Sequence, residues 1–339
     1  MKTSDFAYDL PPELIAQTPI EPRDHSRLMV LNRKDGAIEH RRFFEITDYL
    51  NPGDVLVFNE SRVIPARLHG CKPDTGAKVE LLLLRQIETC TWETLLKPAR
   101  RLKPGARIEL GDGTDLVGAE VVEHTPSGTG IVRFDREPVL ERVGQVPLPP
   151  YIHTPLADPE RYQTVYARVK GSVAAPTAGL HFTPELLERI RQKGVEAAFV
   201  TLHVSWDTFT PVRVEDPREH RLHSEFGELS PEVASQLRKA KAEGRRVIAV
   251  GTTATRLLET SASGDGTIQP FCGMTGFYIL PGHQFRAVDA LITNFHLPCS
   301  TLLMLVSAFA GRDFILRAYQ EAIKERYRFF SFGDAMMVM

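Results

Sequence analysis

The 339-residue chain has only four cysteines, Cys71, Cys90, Cys272 and Cys299, and no CxxC pair among them. That scatter argues against a structural zinc site and fits a reducing cytosol. The longest uncharged apolar run, between Leu297 and Gly311, falls short of the ~20 residues that cross a bilayer. The stretch Met1–Leu10 has no apolar core of a signal peptide. A cytoplasmic protein with no membrane partner is expected. Net charge is also nearly absent, at −2, so any nucleic acid must be met by a local basic patch. GxGxxG and GxxxxGK[ST] are missing, which gives no support to an ordinary dinucleotide fold or a P-loop. HExxH and EF-hand patterns are missing too. His220 and His223 stand three residues apart with no further ligand at typical spacing, so they read as a polar surface turn and no metal is expected.

Composition is that of a folded protein, 42% hydrophobic and 25% charged. The length exceeds one ordinary core and suits two domains. Residues up to about Asn59 combine a short helical stretch with strand signals at Leu28–Asn32 and Val55–Phe58. From about Arg62 to Arg142 the texture changes to short β-rich runs at Val79–Leu84, Thr91–Leu96, Asp115–Val122 and Ile131–Phe134, punctuated by turns such as Lys103-Pro104-Gly105 and Pro126-Ser127-Gly128. Short strands with regular punctuation point to a small barrel or sandwich. The connector Val146-Pro147-Leu148-Pro149-Pro150 cannot be helical. Beyond Gly171 helix and strand alternate. Thr183-Pro184-Glu185 and Ser230-Pro231-Glu232 are helix starts, Gly194 and Gly244 are stops, Ala197–Val204 and Arg246–Val250 are strands, and Thr253–Thr260 is a helix. The expected fold is α/β: a main sheet domain with helices on its faces, from residues 1–61 and 143–339, plus an inserted small β-barrel domain, 62–142.

Three apolar runs are each broken by a histidine: His181 in Ala178–Thr183, His203 in Val200–Val204 and His296 in Ile292–Pro298. Each sits where a strand-like run gives way to a turn or helix, the place where open α/β sheets bind ligands. An imidazole there acts near neutral pH as acid, base or hydrogen-bond donor. Val250-Gly251-Thr252-Thr253-Ala254-Thr255-Arg256 joins a strand to a helix. Its glycine allows close approach, and the helix start offers N–H groups to a phosphate or carboxylate. Lys97, Arg100, Arg101, Lys103 and Arg107 form a basic run with no acid among them, suited to phosphates.

Five longer stretches carry a resemblance. They are Val57-Phe58-Asn59-Glu60-Ser61-Arg62-Val63-Ile64-Pro65-Ala66-Arg67-Leu68, Pro147-Leu148-Pro149-Pro150-Tyr151-Ile152, Gly171–Thr183, Thr293–Gly311 and Tyr327–Met336. In this order they resemble the S-adenosylmethionine:tRNA ribosyltransferase-isomerases of queuosine biosynthesis, over essentially the whole chain. The resemblance implies transfer of the ribosyl part of S-adenosylmethionine onto 7-aminomethyl-7-deazaguanine at the tRNA wobble position. The ribosyl is isomerised to an epoxycyclopentanediol, giving epoxyqueuosine, and adenine and methionine leave. It also implies a β-barrel domain beside an α/β domain. S-adenosylmethionine is then a substrate, with no prosthetic group and no metal, and the partner is tRNA carrying the deazaguanine. A monomer or weak homodimer is expected.

Such a reaction needs several groups that move protons or donate hydrogen bonds. His181, His203 and His296 are the catalytic candidates, without a division of roles. Gly251, Thr252, Thr253, Arg256 and Asn294 are candidates for holding the methionine or ribose. Arg62, Arg67, Arg100, Arg101 and Lys103 are the tRNA-binding candidates. Phe182, Trp206 or Phe209 suit a sulfonium or a flipped base, or simply the core. The chain departs from the family at His203-Val204-Ser205-Trp206-Asp207-Thr208-Phe209, where two glycines are usual. It also departs at Thr253-Ala254, Gly276 and Gly282-His283. A methyltransferase using the same cofactor, or an RNA-binding protein without catalysis, remains a different class. Free adenine as a product separates the first, and histidine variants that keep RNA binding but lose modification separate the second.

Overall fold

Apolar residues alternate along the strands of a nine-stranded sheet and so supply two cores, one on each face. In the computed structural model the described residues are 1–111, 113–205 and 211–339. The chain forms two units, one of Met1–Arg62, Pro149–Val169 and Ala175–Met339, the other of Val63–Leu148 and Lys170–Ala174.

The large sheet belongs to the first unit. Its strands are β1 (Arg27–Leu31), β2 (Ile38–Arg42), β3 (Val55–Asn59), β4 (Glu196–Leu202), β5 (Glu225–Leu229), β6 (Val247–Val250), β7 (Phe271–Thr275), β8 (Ala290–Asn294) and β9 (Ala335–Val338). They lie in the order β7-β5-β4-β3-β6-β8-β9-β1-β2. The central run β4-β3-β6-β8 is parallel, whereas β5 and β7 on one side and β2 on the other are antiparallel edges. Met29, Leu31, Val55 and Val57 face one core, and Leu28, Val30, Leu56 and Phe58 the other.

Five helices pack on these faces: α1 (Pro184–Gln192), α2 (Pro231–Ala242), α3 (Thr252–Ser261), α4 (Thr301–Ala310) and α5 (Arg312–Lys324). The hydroxyls of Thr183 and Ser230 cap α1 and α2, accepting from Leu186 N and Val233 N, as the Thr-Pro-Glu and Ser-Pro-Glu starts require. α1 buries Leu186 and Ile190, one turn apart, against the β1/β3 face together with 3-10 turns at Phe43–Tyr49 and Thr177–His181. At about 1.5–3 kcal/mol per buried aliphatic side chain, that stripe anchors the helix. α2 to α5 cover the opposite face. The helical segments before Asn59 are all 3-10 turns, not an α-helix. None of the described helices is long and apolar enough to cross a membrane.

In the second unit six antiparallel strands close on themselves: Arg67–Cys71, Lys78–Glu88, Thr91–Lys97, Gly130–Phe134, Val117–His124 and Arg107–Leu110, with the last returning to the first. The expected α/β sheet with helices on its faces and the expected small β-barrel are thus both present. Closure runs through Gly70, opposite Leu110, where an added Cβ would stand 2.0 Å from the Glu109 carbonyl oxygen. Leu68, Leu81, Ile108, Ala119, Val121 and Val132 fill the interior.

Candidate active site at the carboxyl edge of the sheet

Because β4, β3, β6 and β8 are parallel, their carboxyl ends share one edge. The residues that leave that edge are His203, Asn59-Glu60, Gly251–Thr253 and Asn294–His296. Asn59 ties three of these ends together. Its Nδ2 donates to the Leu202 carbonyl at 2.9 Å and to Thr253 Oγ1 at 3.3 Å, and its Oδ1 accepts from Leu202 N at 3.0 Å. Gly251 takes φ +92° and donates its N–H to the Ile292 carbonyl at 2.7 Å. Its missing Cβ would lie 3.6 Å from that of Ala178, so the 3-10 turn Thr177–His181 packs closely on the start of α3. No side chain caps α3, and the N–H groups of its first turn remain for water or a ligand.

Asn294 is the hub. Its Oδ1 accepts from the Thr177 hydroxyl at 3.0 Å, while Nδ2 donates to the Phe330 carbonyl at 3.3 Å and to His181 Nε2 at 3.1 Å. That orientation makes Nε2 of His181 an acceptor, so its proton sits on Nδ1 and is donated to Ser26 Oγ at 2.7 Å. The ring stacks on Phe43 with centroids 4.9 Å apart. Burial, reinforced by the positive charges of Arg328 and Arg23, pushes the His181 pKa down to about 3. Both of its nitrogens are engaged, and it is neutral.

His296 differs. Its Nε2 meets Thr293 Oγ1 at 2.9 Å, and its backbone is fixed by Tyr319, which accepts from its N–H at 2.9 Å, and by Tyr8, which donates to its carbonyl at 2.5 Å. Among the described residues Nδ1 has no hydrogen-bond partner. With Tyr151, Thr177, Asn294, Phe330 and Ser331, His296 lines a cavity that opens to solvent. Burial lowers its pKa to about 3 as well. Phe330 at φ +71° and Cys299 at φ +55° flank this cavity. Left-handed backbone at non-glycine residues is uncommon and clusters at functional sites.

The remaining candidates are dispersed. His203 stacks on Phe226 at 5.9 Å, and its buried Nδ1 is unpartnered among the described residues. Burial lowers its pKa, with Glu228 opposing. It does not line the cavity of His296 and Asn294. Thr252 and Thr253 are buried at the head of α3. Arg256 is committed to a buried ion pair, Nη1 to Glu225 Oε2 at 2.5 Å, and its Nε donates to the Phe277 carbonyl at 3.1 Å. Glu225 in turn accepts from Ser205 N at 2.6 Å. Phe182 is core, edge-on to Phe43 and Phe58. Trp206, Asp207 and Phe209 lie outside the described residues. No group of three metal-ligating side chains occurs among the described residues. His220 lies edge-on to Tyr278.

Of the basic candidates, Arg62 pairs with Glu160, and Arg67 donates to the Leu148 carbonyl at 3.3 Å and faces Glu80 at 3.8 Å. Arg107 is neutralised by Asp135 and Glu120. Lys97, Arg100, Arg101 and Lys103 are exposed on the second unit without an ion pair among the described residues. Sequence reasoning missed Ser26, Asn59, Tyr151, Thr177 and Phe330. An asparagine closing the apolar run Val55–Phe58 was an available signal; Ser26, Tyr151 and Thr177 make their contacts across more than 100 residues, and Phe330 meets Asn294 across 36.

The model of the family described as "Queuosine biosynthesis protein" matches residues 3–338. Proteins named S-adenosylmethionine:tRNA ribosyltransferase-isomerase from Symbiobacterium thermophilum and Dehalococcoides mccartyi are 59% and 57% identical to the chain, covering 100% of it and 100% of their own length. A crystal structure of S-adenosylmethionine tRNA ribosyltransferase from Thermotoga maritima matches with 43% identity and a TM-score of 0.59, over 99% of this chain and 100% of that one.

Proposed function

The chain belongs to the queuosine biosynthesis protein family, and from that premise we propose that it is the enzyme that moves the ribosyl part of S-adenosylmethionine onto 7-aminomethyl-7-deazaguanine at the wobble position of tRNA. The ribosyl is isomerised to an epoxycyclopentanediol, and adenine and methionine are released. The observation that carries this reading is the Thr177–Asn294–His181 chain beside the open cavity of His296. It puts a fixed carboxamide, a neutral imidazole with a free nitrogen and an uncapped helix start on one sheet edge.

The sulfonium makes the neighbouring C5′ protons acidic, adenine leaves more readily when a nitrogen is protonated, and the incoming aminomethyl group must lose a proton. His296, through its free Nδ1, is the group that takes and returns a proton. It is neutral at pH 7, so the Nδ1 lone pair is available, and the burial that lowers its pKa makes it a weak base whose imidazolium, once formed, readily gives its proton to departing adenine. Such a role contributes about 10²–10⁴-fold. His181 is a positioning residue: it holds Asn294, whose Oδ1 keeps one lone pair to accept from a substrate donor, in a fixed rotamer. The first turn of α3 takes a carboxylate or ribose oxygen. The exposed cations Arg100, Arg101 and Lys103 meet RNA phosphates.

Adenine release tests the reading. Purified protein should free adenine from S-adenosylmethionine only with an anticodon stem-loop that carries the aminomethyl-deazaguanine. Methyl transfer that leaves adenine attached, or adenine release indifferent to the RNA, would overturn it.

A further inference from the structure

A second opening lies on the other side of His181. It is open to solvent and is lined by Ile20, Arg23, Arg161, Leu180, His181 and Phe332. Its two guanidiniums are half-buried, and a third, that of Arg328, is close enough to act electrostatically on His181 along with Arg23. Among the described residues the one carboxylate at ion-pair distance from the three guanidiniums is the exposed Glu21 on Arg161, while Asp334, which accepts from Arg328 N at 2.8 Å, acts on Arg328 electrostatically. Arg23 donates to carbonyl oxygens alone, those of Gln163 at 2.7 Å, Glu160 at 3.0 Å and Leu180 at 3.5 Å. Arg328 donates to the Thr18 carbonyl. Glu21, Asp158 and Glu160 temper the charge of Arg23 from a distance, but burial and the like charge of Arg161 dominate. Carbonyl contacts hold Arg23 in place with no carboxylate at ion-pair distance among the described residues, an arrangement that costs stability in a half-buried site unless an anion enters.

We propose that this pocket is an oxyanion-binding subsite, in which Arg23 and Arg161, with the charge of Arg328 nearby, take a phosphate of the RNA backbone or the methionine carboxylate of S-adenosylmethionine. Guanidiniums suit either, because their planar donor fork matches both groups. The subsite adjoins the Asn294–His181 chain through the His181 ring, so an anion held there is positioned against the same edge of the sheet. The identity of the anion's carrier rests on the function proposed above, but the binding of an oxyanion does not.

The test uses the full chain and Arg23→Gln, which removes the charge and keeps a polar amide donor. Inorganic phosphate is titrated into wild type at pH 7 while the His181 imidazole resonances are followed. A saturable shift in wild type, weakened at least about tenfold in Arg23→Gln, is expected. Absence of a shift, or an equal one in a variant whose unfolding midpoint is unchanged, overturns the subsite. Arg161→Gln serves as the second variant if Arg23→Gln does not fold. The affinities of S-adenosylmethionine and of the anticodon stem-loop are then measured separately. Loss confined to the stem-loop, with its salt slope reduced by about 0.7–0.9, assigns the phosphate. Loss confined to S-adenosylmethionine assigns the carboxylate, and no loss of either overturns the proposal. A protein that binds phosphate here but never releases adenine would contradict the proposed function and leave the subsite standing.

Discussion

Replacing His181 by glutamine should change how stability depends on pH. The buried imidazole is neutral, with a pKa near 3 in the fold against an ordinary value of 6.5. Between those values the unfolded chain binds a proton that the folded chain refuses, so stability is full above about pH 6.5 and falls as pH is lowered toward 3. From pH 7 to pH 5 this one group removes about 2 kcal/mol, with a slope approaching about 1.4 kcal/mol per pH unit. Glutamine does not titrate, yet it keeps an acceptor for Asn294 and a donor for Ser26. At pH 7 the variant should be less stable by about 1–3 kcal/mol, because the geometry of two buried hydrogen bonds and the stacking on Phe43 are impaired. At pH 5 that deficit should shrink by about 2 kcal/mol, since only wild type carries the penalty. Urea unfolding at several pH values reads both numbers. A deficit that stays constant from pH 7 to pH 5 would refute the assignment of a neutral, proton-refusing His181.

Two further outcomes follow from other parts of the chain. Glu259 is buried and accepts from the N–H groups of Arg286, Ala287 and Val288 at 3.0–3.1 Å in their shortest contacts and from His283 at 3.1 Å; Glu259→Ala should lower unfolding stability by about 3–5 kcal/mol in urea titrations, as loss of one partner from a buried charged network does, and a loss below about 1 kcal/mol would deny it that anchoring role. Replacing Arg100, Arg101 and Lys103 together by alanine should weaken stem-loop binding and lower its salt slope by about 2–3 units if each makes one phosphate contact, with turnover at saturating RNA little changed; unaltered affinity and slope would remove these residues from the interface.

What could be read in the sequence follows from the range of the interactions. Helix starts are local: Thr183 and Ser230 cap residues three positions on, and both were legible. The buried strands β3, β4 and β6 declare themselves by apolar runs. β2, Ile38-Glu39-His40-Arg41-Arg42, does not, because its side chains are mostly exposed and its backbone pairs with β1 as an edge strand. β5 and β7 are short edge strands of mixed polarity, and Gly227 lies under Leu257 and Leu202, where a Cβ would not fit. The barrel strands Arg67–Cys71 and Arg107–Leu110 are four or five residues long and depend on each other across 40 positions for closure. The three histidines were legible as a class, but their roles were not: Ser26 and Asn294 reach His181 across 155 and 113 residues, and those two bonds together distinguish an engaged imidazole from the open one of His296. Arg256 was a candidate for holding the methionine or ribose, and its buried partner Glu225, 31 residues away, could not be seen in the sequence. Arg23, Arg161 and Arg328 are isolated in sequence and meet only in the fold.

The division between an open and an engaged histidine is tested most directly by turnover of His296→Gln, measured as adenine release at saturating S-adenosylmethionine and modified stem-loop, with the affinity of each substrate determined separately. The account predicts a kcat lower by about 10²-fold or more with both affinities within about threefold of wild type. A kcat within about threefold of wild type, or a loss that appears only in binding, would contradict His296 as the group that moves the proton.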